Sequence, residues 1–268
     1  MVPRFCQFTQ VRDAIRYFDN NGFCIFKKTP HLEYLEDIRE NISFLISDVL
    51  LRNRLVCVEP QNFGFDAGLI YLSNYSDELR KNLYNVLKFI PSVQRFGLTW
   101  LDSPVMNELG FVNPMHTSCS LRMDLPGDSR FLIPPHQDLH ETLSYKHIFF
   151  ITAISDITAD MGALRVYPGS HKHGFMEHVQ PQWSRYQFIP YNHLQDFTSI
   201  QLPCEKGKSI MLMVNLVHAS SSNTSDLVRW SHMSHFEDAI QMPLLHGSNE
   251  LQIYNDNGLS SKEFKAQL

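Results

Sequence analysis

From about residue 116 the chain is written in short β-rich pieces with no helical pattern alternating between them, and this constrains its fold more than any other feature. "TSCSLRMDL", "HIFFITAISDI", "GALRVYP", "TSIQLPC", "KSIMLMVNLVHA" and "RWSHMSHF" are rich in β-branched and aromatic residues and are separated by Pro and Gly turns. A parallel βαβ sheet is therefore excluded, and an antiparallel sandwich or jelly roll is expected. The apolar run "IMLMVNLV" at 210–217 reads as one buried strand.

The first third reads differently. "FTQVRDAIRYFDNNGF" offers Thr9 as N-cap, apolar Val11, Ile15 and Phe18, and a stop at Asn20-Asn21-Gly22. "CIFKK" then reads as a strand. Leu32, Leu35, Ile38, Ile42, Leu45 and Ile46 share a helical face in "HLEYLEDIRENISFLISDVLL", and "SDELRKNLYNVLKFI" is again helical. These helices should brace the sheets. With 268 residues, 43% hydrophobic, the chain can bury one large core. No repeat or linker divides it, so one domain over 1–268 is expected, mainly β with flanking helices and with its jelly-roll core from about 116.

Charge and cysteine usage narrow the partners. A net charge of −5 gives no sign of a nucleic-acid partner and favours a small molecule. The five cysteines, at 6, 24, 57, 119 and 204, are scattered and never in a C-x-x-C pair, so they read as reduced thiols of a cytoplasmic protein. No apolar run reaches the roughly 18 residues that cross a membrane, and the N-terminus shows no secretory pattern.

The chemistry is written in "IPPHQDLH" at 133–140. On an extended strand, His136 and Asp138 point to one side and Gln137 to the other. An isolated His218 follows the apolar run, where packing gives no reason for an imidazole, and Arg229 lies eleven residues further on. Two imidazoles and one carboxylate with open positions suit a non-haem Fe(II) oxygenase. Thirteen histidines make an isolated H-x-D pair common by chance; the ordered set is what carries weight.

"PPHQDLH", "GALRVYPGSHKHG" and "VHASSSNTSDLVRWS" resemble the motifs of the phytanoyl-CoA dioxygenase (PhyH) family of Fe(II)/2-oxoglutarate oxygenases, over about 116–237. The resemblance implies a double-stranded β-helix (jelly roll, cupin-like). It implies iron ligands His136, Asp138 and His218, with Arg229 pairing the distal carboxylate of 2-oxoglutarate and Ser220 at a position that often hydrogen-bonds it. It further implies O2 as oxidant, succinate and CO2 as products, and hydroxylation or a related oxidation, since halogenases on this scaffold lack the carboxylate ligand. A planar guanidinium fork suits the carboxylate, and the turn "SSSNTSDLV" can bring Arg229 to a neighbouring strand.

Several residues admit plainer readings. Ser221, Ser222 and Asn223 read as a loop. His171, after the Pro168-Gly169 turn, reads as a structural hydrogen-bonder, and His140 and His147 as strand-edge residues. Arg122 meets an anionic substrate or the co-substrate if it points inward, or forms a surface salt bridge if it does not. Residues 172–196, aromatic and aperiodic, read as a connection over the cavity mouth, with Trp183 and Tyr186 as substrate contacts. Two other functions use the same residues: a cupin-like non-redox metal enzyme, in which Arg229 has no role, and a catalytically silent binding protein. The arginine argues against JmjC-type enzymes, which usually anchor 2-oxoglutarate with a lysine.

Overall fold

Six α-helices precede the main strands in the computed structural model, which describes residues 7–55, 65–138, 144, 146–182, 184–242, 252–255 and 258–261. They are α1 (Val11–Asn21), α2 (Glu33–Arg52), α3 (Phe65–Tyr75), α4 (Asp77–Leu87), α5 (Pro91–Leu98) and α6 (Pro104–Glu108). Burial of Ala14 and Phe18 sets the phase of α1, and its N-cap is Gln10 rather than the expected Thr9, with no side-chain cap. The helix stops where the sequence says. Gly22 takes φ 81° and returns its N–H to Phe18 O, a left-handed cap that glycine adopts without strain. In α2, Leu35, Ile38, Ile42 and Ile46 are buried, but Leu32 precedes the first helical residue and is exposed. Ser76 caps α4 by accepting from Leu79 N.

Two sheets stack against each other as a jelly roll that does not close into a barrel. The larger runs β1 (Gln7–Phe8), β2 (Phe23–Phe26), β7 (Ser209–Met213), β4 (His147–Ala153), β9 (Arg229–Asp238) and β3 (Pro114–Asp124). The smaller runs β6 (Ile200–Leu202), β5 (Leu164–Val166) and β8 (His218–Ala219). Apart from the β1–β2 pair, neighbours in both sheets are antiparallel. A further antiparallel hairpin joins β10 (Gln252–Asn255) to β11 (Gly258–Ser261).

Alternation assigns each strand's two faces. Phe23, Ile25, Phe149, Ile210 and Leu212 turn inward and pack against Val166 and Leu202 of the smaller sheet. Cys24, Phe26, Phe150, Met211 and Phe236 turn outward under α1 and α6, together with Phe18, Trp100 and Met106. Leu121, Met123 and Trp230 do the same under α2–α5. Because both faces of β9 are covered, its pattern "RWSHMSHFED" puts apolar Trp230 and Phe236 beneath helices and sends Arg229, Ser231, Met233 and His235 to the inner cavity.

The run 210–217 is not one strand. It leaves the larger sheet after Met213, turns with Leu216 N donating to Met213 O at 3.0 Å, and enters the smaller sheet at His218. Neither Gly nor Pro marks this corner, and both halves are apolar because both are buried. Among the described residues no helix is long and apolar enough to cross a membrane.

Candidate active site

The segment 133–138 is extended rather than a full strand, and it lies beside β8. His136 and His218 exchange both backbone hydrogen bonds, at 2.9 and 3.0 Å, and Ser220 N donates to Ile133 O at 2.9 Å. Asp138 N donates to Val214 O at 3.0 Å, which ties the segment to the corner described above. The two imidazoles therefore stand directly opposite each other, with ring centroids 4.2 Å apart. His136 Nε2 lies 3.3 Å from Asp138 Oδ1, and His218 Nε2 lies 3.6 Å from Asp138 Oδ2. One ligand atom from each of the three residues falls within 4.8 Å of the others.

Both histidines are oriented from behind. His136 Nδ1 lies 2.8 Å from Pro134 O and His218 Nδ1 lies 3.0 Å from Leu216 O. A carbonyl only accepts, so each Nδ1 carries the proton and each Nε2 presents its lone pair inward. Burial and the neighbouring His136, working against Asp138, push His218 down to about 4, so it is neutral at pH 7. Burial pushes the Asp138 carboxyl up, but His218 and His136 outweigh it and hold it well below the usual carboxylate range.

The three residues line a cavity of about 400 Å³ between the sheets, together with Ser220, Arg122 and Arg229. Arg229 is buried. Its Nε and Nη2 donate to Asp124, the former at 3.0 Å, and its Nη1 donates to Gly162 O. Of five N–H groups, two remain, one on each terminal nitrogen, the pair through which a carboxylate is gripped end-on. Burial and repulsion from Arg122 together outweigh Asp124 and lower the Arg229 pKa from its usual value, so a further anion there is favoured. Ser220 Oγ lies 3.3 Å from Arg122 Nη2.

Arg122 points inward rather than to the surface, and it salt-bridges Asp124. Tyr186 is half-buried and within electrostatic reach of Arg122. Trp183 and His140 lie outside the described residues. His147 is not an edge residue: β4 is central, and His147 Nε2 sits 3.1 Å from His235 Nδ1 in a buried pair. Its imidazole is pushed down to about 3 by burial and by His235. His171 is structural, with Nε2 3.1 Å from Asp19 O.

Three residues that sequence reading passes over help build the site. Asp124, two after Arg122 in "LRMDL", shares the inner face of β3 with it; i, i+2 spacing was the available signal. His235 stacks on Phe149 at 5.0 Å and lines the cavity. Gln137, turned away from the cavity, donates to Gly174 O at 2.8 Å and Asn215 O at 2.6 Å and accepts from Met176 N at 2.8 Å. Those bonds fasten the 172–196 connection to the segment that carries His136 and Asp138. The connection itself holds one isolated bridge, Val179 with Phe188, and a 3₁₀ turn, Tyr191–Leu194.

A family model described as phytanoyl-CoA dioxygenase (PhyH) matches residues 77–231. The peroxisomal phytanoyl-CoA dioxygenase of Bos taurus is 32% identical over 132 residues, covering 47% of this chain and 39% of that protein. A probable phytanoyl-CoA dioxygenase of Caenorhabditis elegans is 30% identical over 239 residues, covering 82% and 73%. The aligned part of this chain thus spans less than half the length of the bovine relative. Among solved structures, EctD from S. alaskensis with 2-oxoglutarate and 5-hydroxyectoine superposes with TM-score 0.55 at 14% identity, over 84% of this chain and 75% of that one. AviO1 from Streptomyces viridochromogenes Tue57 gives 0.53 at 14%, over 88% and 98%. At such identity the likeness is one of fold: a jelly roll with flanking helices.

Proposed function

The chain belongs to the phytanoyl-CoA dioxygenase (PhyH) family, and from that premise we propose that it is an Fe(II)/2-oxoglutarate-dependent dioxygenase that hydroxylates an unactivated carbon of a small molecule. The observation that carries the reading is the pair of carbonyl-anchored imidazoles facing one carboxylate, an arrangement of donors that fits a divalent iron. His136, Asp138 and His218 would hold the metal. When bound, iron with 2-oxoglutarate and O2 supplies a two-electron oxidant, with one oxygen atom going to succinate as CO2 leaves and the other to the substrate carbon.

The remaining work falls to the chain. The two unused N–H groups of Arg229 grip the distal carboxylate of the co-substrate and set its direction, while Asp124 and Gly162 keep the guanidinium from rotating. Ser220 adds a hydroxyl beside Arg122. The two sheets exclude bulk water from the cavity, and the connection tethered by Gln137 stands beside the metal-binding segment, where a substrate enters. Cys119 and Cys204 are free thiols, which supports a reducing compartment such as the cytoplasm. The described elements work as one domain.

A non-redox metal enzyme remains the second reading, because Asp124 gives Arg229 a partner even without a co-substrate. Titration of 2-oxoglutarate into the Fe(II)-loaded protein without O2, followed by its visible charge-transfer band, separates the two. Truncating one member of a buried charge pair costs about 2–5 kcal/mol, so Arg229→Met weakens co-substrate binding by about thirty-fold to several thousand-fold. Arg229→Lys recovers part of the loss, and His218→Ala abolishes the band. Unchanged affinity in the methionine variant, with the other cavity arginine, Arg122, also dispensable for 2-oxoglutarate, puts the non-redox reading first.

A further inference from the structure

β3 and β9 each carry one arginine into the cavity, and a single carboxylate serves both. Asp124 accepts from Arg122 Nε and Nη2 at 3.1 Å and from Arg229 Nε at 3.0 Å. Two positive charges against one negative leave one positive charge in excess beside the metal-binding residues. The two arginines also differ in what they have left to offer. Arg229 spends donors on Asp124 and Gly162 O and is the more deeply placed, its side chain 7% exposed against 19% for Arg122. Arg122 gives Nη2 to Asp124, to Phe131 O at 2.7 Å and to Ser220 Oγ at 3.3 Å, but Nη1 has no partner among the described residues. Both N–H groups of that nitrogen are available within a residue that lines the cavity.

The surroundings repeat the same sign. Tyr84 and Lys88 line the cavity with Arg122, and Tyr84 and Tyr186 lie within electrostatic reach of its guanidinium. Arg80, Arg130 and Arg185 surround the Phe131 ring at 4.2, 5.5 and 5.5 Å. Asp77 and Asp128 answer Arg80 and Arg130, whereas Lys88 and Arg185 have no acidic partner among the described residues. On a chain of net charge −5, this is a local concentration of cations and not a general basicity.

We infer that Arg122 anchors an anionic group, a carboxylate or a phosphate, on the primary substrate, with Lys88 adding attraction, while the co-substrate goes to Arg229. This rests on the oxygenase reading above. A planar guanidinium with one free terminal nitrogen holds an oxyanion and orients the rest of the molecule, and the phenols of Tyr84 and Tyr186 can donate to the same group. A neutral alcohol or an amine gains nothing from the excess positive charge.

The test uses the full chain loaded with Fe(II) and 2-oxoglutarate without O2, into which octanoate, octyl phosphate and 1-octanol are titrated by calorimetry and by perturbation of the visible band. At least one of the two anions is expected to bind about ten-fold or more tighter than the alcohol, and the tighter one names the group. Arg122→Gln should remove that preference, a loss of about thirty-fold or more for the anion, with 1-octanol unchanged and a loss of 2-oxoglutarate affinity much smaller than Arg229→Met causes. Arg122→Lys keeps the charge that Asp124 needs, and should lose an intermediate amount. Lys88→Glu, outside the Asp124 network, should weaken both anions several-fold in a protein whose packing is untouched. Absence of any anion preference, or its persistence in Arg122→Gln, overturns the inference. If Arg122→Gln loses 2-oxoglutarate and Arg229→Met does not, Arg122 belongs to the co-substrate and the inference falls while the oxygenase reading stands. If neither variant affects 2-oxoglutarate, it is the oxygenase reading that fails.

Discussion

Gly162 is required twice over. Its φ of +79° lies in the left-handed region, and a Cβ added there would sit 2.4 Å from Ser221 O and 3.0 Å from the Ser222 carbonyl carbon. Both contacts are backbone, so neither can swing aside. The same close approach aims Gly162 O at Arg229 Nη1. Gly162→Ala should therefore destabilise the fold by about 1–3 kcal/mol from strain alone, and should also weaken 2-oxoglutarate binding because the guanidinium loses its fixed direction. Thermal melts and the co-substrate titration check the two parts separately; a variant with normal melting and normal affinity would show that the loop relaxes freely. At this scale the sequence was informative about residue types and silent about partners. His136, Asp138, His218 and Arg229 could be picked out by spacing. Asp124 could not be assigned to both arginines, because β3 and β9 meet only through antiparallel pairing across 105 residues of chain.

At the scale of elements, the segment 133–138 and the connection 172–196 behave as one unit because Gln137 bonds to residues 174, 176 and 215. Gln137→Leu leaves Gly174 O, Asn215 O and Met176 N without that partner, and each buried polar group left unmade costs about 1–3 kcal/mol. Faster proteolysis within 174–190 is expected, with weaker Fe(II) binding as the His136 segment loosens. Cleavage and iron affinity equal to wild type would uncouple the two segments. Helices α1, α2 and α4 were legible from their 3.6-residue period, since one face is buried and the other meets water, whereas α3 and the short α5 and α6 were not read from the sequence. The corner at 214–217 was not: period and composition are the same on both sides of it when both sides are buried, and only the competition between two sheets for the same chain puts the break after Met213.

Over the whole molecule, buried neutral histidines govern the acid side of stability. Burial pushes His232 down to about 3, against the hydrogen bond to Val93 O, and His147 down to about 3. The unfolded chain protonates both near pH 6.5, so the native state is favoured above that value and loses ground as pH falls from about 6.5 toward 3, at about 1.4 kcal/mol per pH unit for each group. Urea midpoints should drop between pH 7 and 5, and His232→Gln, which keeps a donor for Val93 O but does not titrate, should flatten that drop by one group's share. An unaltered pH dependence in the variant would place the sensitivity elsewhere. The sequence by itself determined an antiparallel β-rich core, bracing helices and a candidate set of metal ligands, because alternation, turn residues and ligand spacing are local properties that survive in a one-dimensional string. Only the tertiary structure decided which charges share a cavity. The pairing of Arg122 and Arg229 through Asp124, the central position of His147 beside His235, and the attachment of 172–196 to Gln137 all depend on strands distant in sequence lying side by side, and in a buried site the energy of a charge or a polar group is set by those neighbours rather than by its own identity.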